Sequence, residues 1–276
     1  MKINGWKYYV HAAIPTLPPH IEVDETPVND GSIWSLDGGP ILVRWTSDWD
    51  CGYETNWWYC IKDTPFDIST LKSKRRYEIN KGNKNFSVEE INPTKFSEDL
   101  FRVTSAAYET YPESYRPNIE HNSFIADVSN WKFIKVYGAF FTENKELSGY
   151  ACLLKDGVYI NFAVLKAVPE KEKLSVNAAI VNKILIDHEE FLKNGGYICD
   201  GSRSIQHETA FQDYLEKYFE FRKAYCRLHV IYKQPIKDVI TIAYPFRKLL
   251  SKMDGIGPIK KVNALLKMEE INRSFK

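Results

Sequence analysis

Along residues 86–232 the apolar positions switch between a two-residue and a near-3.6-residue period, the marks of strands and of helices. Phe86–Ile91 predicts a strand. Pro93 and Thr94 open a helix with apolar positions Phe96, Leu100, Phe101, Val103 and Ala107. A Pro-containing loop from Tyr111 to Pro117 leads to a shorter helix near 120–129. Phe133–Phe141, Leu147–Leu154 and Val158–Leu165 predict three strands. Glu143, Asn144 and Lys145 form the first turn and Asp156-Gly157 the second, so the three strands make an antiparallel meander. Val176–Asn194 predicts a long helix with Ile180, Ile184, Leu185, His188, Phe191 and Leu192 as its stripe, ended by Gly195 and Gly196. Tyr197–Asp200 reads as a short strand buried on both faces, Thr209–Tyr218 as a helix, and Phe221–Tyr232 as one long strand or a strand pair.

The first forty residues follow neither period. Pro15, Pro18, Pro19, Pro27, Gly31, Gly38 and Gly39 punctuate them, and the stretch is expected to be irregular. Ile41–Trp45 and Trp57–Lys62 predict short strands. Asp67 is placed to cap a helix carrying Leu71, Tyr77 and Ile79, which is expected to stop near Gly82. Lys72, Lys74, Arg75, Arg76 and Lys81 make it strongly basic, either a solvated face or a surface for phosphates. Ile236–Met253 and Pro258–Ser274 predict two tail helices. The expected organisation is a β-rich region over 1–84 ending in the basic helix, a domain over 85–235, and a helical extension over 236–276.

The chain has 276 residues, 44% hydrophobic and 26% charged, which suits a globular protein. A formal net charge of +1 removes any bulk attraction to nucleic acid or anionic membrane and leaves only local patches. No apolar run is long enough for a spanning helix, and the first residues lack a signal-peptide core. A cytoplasmic protein without membrane insertion is expected. Cys51, Cys60, Cys152, Cys199 and Cys226 are odd in number and show no paired spacing, so neither a disulfide framework nor zinc is expected. The six histidines have no metal-ligand spacing, and no metal is expected. Nucleophile-elbow, Walker and dinucleotide fingerprints are absent from the sequence. Trp34, Trp45, Trp49, Trp57, Trp58 and Tyr59 crowd the first sixty residues, either filling a small core or lining a cleft.

Taken in order, residues 86–232 read strand, two helices, three-strand meander, helix, strand, helix, strand. This resembles the GNAT acyltransferase fold. The resemblance implies an α+β chain with a mixed, mostly antiparallel sheet flanked by helices, whose middle strands splay apart to admit acyl-CoA. The basic run Leu71–Gly82 before the strand at Phe86 is similar to the junction in Fem-type, GNAT-like transferases, which take an aminoacyl-tRNA donor. Asp200–Gln212 with Tyr218–Tyr225 resembles GNAT-like proteins of bacterial surface-polysaccharide loci. One segment departs from the pattern. GNAT enzymes hold the CoA pyrophosphate on a glycine-bearing loop after the third meander strand, whereas Pro169–Val176 has no glycine.

Acyl transfer to an amine requires a base for the ammonium proton, polarisation of the carbonyl and a proton for the leaving group. The densest polar run is Asp200–Gln212. Asp200 ends a buried strand, Gly201 allows a tight exit, Arg203 offers a planar fork for an anion, His207 titrates near neutrality as a general base, and Gln212 can orient a substrate. The competing role is a plain strand-to-helix loop. By the resemblance, Tyr214 would be the acid for a thiolate, although it shares a helix face with Tyr218 and packing competes. Tyr159 and Asn161 are candidate substrate contacts. Phe162, Ala163 and Val164 would pair with the pantetheine arm of acetyl-CoA or another acyl-CoA, and Lys173 and Ser175 would meet its phosphates. Three functions follow: an acyl-CoA-dependent N-acyltransferase acting on an amine of a small metabolite or sugar, an aminoacyl-tRNA-dependent transferase, or a non-catalytic ligand-binding protein.

Overall fold

A computed structural model describes residues 1–111, 113, 116–205, 210–253 and 257–275. The chain forms two compact units. One gathers Met1–Tyr59, a stretch beginning at Ser202, and the chain from Lys223 onward; the other gathers Cys60–Gly201 and Ala210–Arg222.

In the first unit, β1 (Trp6–Tyr9) and β2 (Ala12–Pro15) form an antiparallel hairpin where irregular chain was expected. Its turn is Val10-His11, with φ of 44° and 65°. A two-residue hairpin turn requires left-handed residues at both positions, a demand that Asn and Gly usually meet. Neither is present, so the sequence carries no turn signal there. A single helical turn, α1 (Thr26–Asn29), follows. β2 runs parallel to β3 (Leu42–Ser47). Trp6, Ala13, Ile33, Val43 and Trp45 are buried together, so part of the aromatic cluster is core. β4 (Trp57–Lys62) carries the chain into the second unit.

There Asp67 does cap a turn, accepting from the Ser69 amide at 2.8 Å, but the turn is a 3-10 helix ended by an extended Leu71. The basic helix proper, α2 (Ser73–Asn85), begins afterwards and runs straight through Gly82. Gly82 is a packing residue here: a Cβ would stand 2.5 Å from the Ser175 carbonyl oxygen and 2.9 Å from the Ala179 nitrogen. β5 (Phe86–Glu90), α3 (Ser97–Glu109), α4 (His121–Val128), β6 (Lys135–Phe141), β7 (Leu147–Asp156) and β8 (Tyr159–Ala167) follow as the periodicity predicts. β5 to β8 pair antiparallel in chain order.

After a one-turn α5 (Pro169–Glu172), the expected long helix is broken in two, α6 (Val176–Asp187) and α7 (Glu189–Lys193). The break is at His188, whose Nδ1 lies 2.8 Å from the Ile184 carbonyl oxygen. β9 (Tyr197–Ser202) joins β8 in parallel, and α8 (Ala210–Phe219) completes the unit. Successive residues of the meander face opposite sides. Tyr150 and Cys152 pack with Leu100 and Val103 of α3, whereas Ala151 and Leu153 pack with Ile180 and Ile184 of α6. Full burial of each such aliphatic side chain contributes about 1.5–3 kcal/mol.

The chain then returns to the first unit. β10 (Arg222–Tyr232) is one long strand, antiparallel to β3. α9 (Ile236–Ala243), a 3-10 turn, α10 (Arg247–Leu250), a second 3-10 turn and α11 (Gly257–Ser274) form the helical tail.

Candidate functional site

The site grows from the pairing of β8 with β9. The two strands run parallel through Tyr159↔Tyr197, Ile160↔Ile198 and Asn161↔Cys199, and their pairing ends there. β8 continues to Ala167 against β7 alone. At the fork the β8–β7 register slips: Leu153 faces Phe162 and Cys152 faces Val164, leaving Ala163 as an extra residue. Such a bulge bends its strand and increases the local twist. From Phe162 onward β8 therefore has an edge to which β9 contributes no partner.

A cleft of about 780 Å³ opens along this edge. Its floor is Phe162–Ala167 of β8. Thr104, Ala107 and Tyr108 of α3, Phe124 of α4, Tyr150 of β7, Asp200 of β9 and Phe211 of α8 form the walls. The lining is mostly apolar and aromatic with few polar groups, the usual constitution of a small-molecule site. Two polar centres stand out. Lys166 donates to the Tyr111 hydroxyl at 3.0 Å and lies 4.4 Å over the Tyr108 ring. Asp200 is the first β9 residue beyond the last paired position. Burial pushes its carboxyl up to about 7, against the pull of a hydrogen bond from Gln212. Gln212 is itself buried, with Nε2 3.4 Å from the Gly201 carbonyl oxygen.

Several expected site residues come together here. Phe162, Ala163, Val164 and Asp200 line the cleft, and Gln212 holds Asp200. Tyr159 and Asn161 lie in the paired half of β8, and the Tyr159 ring sits 5.4 Å from Tyr197. Tyr214 is not among the lining residues. Its ring stacks on Phe211 at 6.0 Å and touches Tyr218 and Phe219, and burial raises its phenol well above the ordinary value. Arg203 belongs to the first unit, where its guanidinium donates to the Asn56 carbonyl at 2.8 Å and lies 4.4 Å from the Trp58 ring. His207 lies outside the described residues. Lys166, Tyr108 and Tyr111 were not anticipated. The available signals were a single charge in the strand Tyr159–Ala167 and two tyrosines three residues apart at the end of α3.

The start of α6 is closed by the chain itself. Ser175, with φ of 68°, donates its hydroxyl to Glu78 Oε1 of α2 at 2.7 Å, and Asn85 reaches the Leu174 carbonyl at 3.5 Å. Lys173 is exposed at the end of α5. A carboxylate is thus bonded to the residue that opens α6, and its negative charge opposes the pull of a helix start on a phosphate.

No family model matches the chain, and no curated protein matches it. Among solved structures, L-PGS from Bacillus licheniformis aligns over 86% of this chain and 83% of its own, with a TM-score of 0.52 and 11% identity. The C-terminal domain of a putative lysylphosphatidylglycerol synthetase from Agrobacterium fabrum aligns over 81% and 78%, with a TM-score of 0.47 and 9% identity. A tandem GNAT protein from the clavulanic acid biosynthesis pathway aligns over 81% and 76%, with a TM-score of 0.45 and 7% identity. At such identities the likeness concerns fold alone. The fold is GNAT-like, with a mixed, mostly antiparallel sheet flanked by helices.

Proposed function

We propose that the protein is an acyltransferase that passes an activated acyl group to an amine of a small metabolite or sugar, with Asp200 as general base. The observation that carries this reading is the fork beyond Asn161 and Cys199, with a partly buried carboxyl raised to about 7 at its vertex. The acyl arm of a donor lies along the free edge of β8, pairing with its backbone as an added strand would. Asp200 takes the proton of the acceptor ammonium. The amine nitrogen then bonds to the acyl carbon, the bond from that carbon to the leaving sulfur or oxygen breaks, and the proton the nitrogen sheds on becoming an amide goes to the leaving group. Much of the rate comes from holding the two reactants together in the cleft. The test is turnover with a panel of amines and two donor classes, acyl-CoA and aminoacyl-tRNA. Wild-type transfer that falls by about 10²–10⁴ in Asp200→Asn supports the reading. Absence of transfer from both donors, or transfer indifferent to Asp200→Asn, removes it.

A second reading concerns the donor. CoA is held largely by its pyrophosphate, and the glycine-free, Glu78-occupied start of α6 does not fit that group. An aminoacyl ester of tRNA needs no such cradle, and Lys72, which opens α2, and Lys74 and Lys84 within it are exposed to solvent. This reading predicts tRNA binding that weakens steeply with salt and with Lys72→Glu and Lys74→Glu. Salt-independent binding, or transfer from acyl-CoA alone, rejects it.

A further inference from the structure

The helical tail carries two apolar faces where a surface helix needs one. Ile236, Ile240, Ala243, Tyr244 and Leu250 turn inward and pack with Leu265 and Leu266 of α11. A second stripe, Val239, Ile242, Phe246, Leu249 and Met253, turns outward. Ile242 is 71% exposed, Phe246 59% and Leu249 62%. One exposed leucine is ordinary, but five large apolar residues spaced three and four apart along one edge form a continuous patch. Lys237, Lys248 and Lys252 flank it, all exposed, and Asp238 is the sole acid between 236 and 253. Arg247 is already paired with Glu270 at 3.0 Å and adds no free charge.

We propose that this edge of α9 and α10 docks in the plane of an anionic lipid surface, with the stripe entering the acyl boundary and the lysines meeting headgroup phosphates. Lipid requires apolar depth and flanking cations, with no shape-matched partner. A second copy fits less well. It would bring like-charged lysines together, and α9 has only 8 residues and α10 only 4, too short for a knobs-into-holes seam. No described helix is long and apolar enough to cross a membrane, so the contact is peripheral.

The test is co-sedimentation of the full chain with vesicles of phosphatidylcholine alone, or of two parts phosphatidylcholine to one part phosphatidylglycerol. Binding is expected to the anionic vesicles and to decline with salt. The triple variant Ile242→Ser, Phe246→Ser, Leu249→Ser is expected to lose about tenfold or more in vesicle affinity. Its unfolding temperature should be unchanged, because the three side chains are exposed. Lys248→Glu with Lys252→Glu weakens binding by about fivefold or more per lysine. Three results each overturn the proposal: no binding to anionic vesicles, equal binding by the triple variant, or a dimer in sedimentation equilibrium that the triple variant disperses while vesicles capture nothing.

Discussion

Ser175 and Glu78 tie the entry of α6 to the middle of α2, hydroxyl to carboxylate at 2.7 Å. One turn further along α2, Gly82 lets the two helices approach until only a hydrogen atom fits between them. The two contacts act together, because the close approach at Gly82 brings Glu78 within reach. Gly82→Val is expected to destabilise the protein by about 1–3 kcal/mol or more, since its Cβ would meet backbone on both sides. Ser175→Ala should cost about 1 kcal/mol. Thermal unfolding of both variants checks the order.

Asp200 links stability to pH with an unusual sign for a carboxylate. Its pKa in the fold is raised to about 7, so the unfolded chain ionises more readily. The fold therefore has its full share of stability below the ordinary carboxylate range, and loses it as pH rises through about 7. Asp200→Asn is expected to raise stability at pH 8 by about 1–3 kcal/mol and to do little at pH 4. Denaturant melts of wild type and variant at the two pH values measure this. A variant less stable than wild type at pH 8 contradicts the burial argument.

The same carboxyl sets an activity limb. As a general base, Asp200 works when ionised, so kcat/KM should rise with pH through about 7. Gln212 donates to Asp200 and favours its charged form, so Gln212→Leu should move that limb to higher pH. A merely structural Gln212 would lower activity without shifting the profile.

Lys166 is held among Tyr108 and Tyr111 at the cleft floor. Lys166→Met keeps the length of the side chain and removes its charge. With Lys166 assigned to hold an anionic group of the donor in the cleft, the expected outcome is a rise in donor KM of about tenfold with kcat little changed. Steady-state kinetics separates the two constants, and a fall confined to kcat would refute the assignment.

Much of the second unit was legible in the sequence, because its strands alternate cleanly and Gly157 signals a hairpin, although the structure turns on Gly157-Val158, one residue beyond the Asp156-Gly157 pair, with Asp156 still paired to Tyr159. Asp200 was visible as a polar residue ending an apolar strand. The fork itself was not. Nothing local in Asn161-Phe162 or Cys199-Asp200 says that pairing ceases there, since register depends on a partner 38 positions away. The β1–β2 hairpin escaped notice because Val10-His11 carries left-handed geometry in residues that rarely adopt it. The break at His188 was hidden by a stripe that continues across it. Tyr214 follows the spacing of a helix face, which packing and chemistry share, and in the structure its ring packs against Phe211, Tyr218 and Phe219.

The extra residue at Ala163 does more than bend a strand. Phe162 joins the cluster on the α6 side and Val164 the one on the α3 side, although two residues apart they should share a face. A single inserted position has exchanged inside for outside along the rest of β8. Removing that one residue would send Lys166 through to the opposite layer and hand its place to an apolar neighbour. The length of chain at this point thus matters more to the cleft than the identity of any single wall residue, and a shortened strand would erase it even if every other side chain were kept.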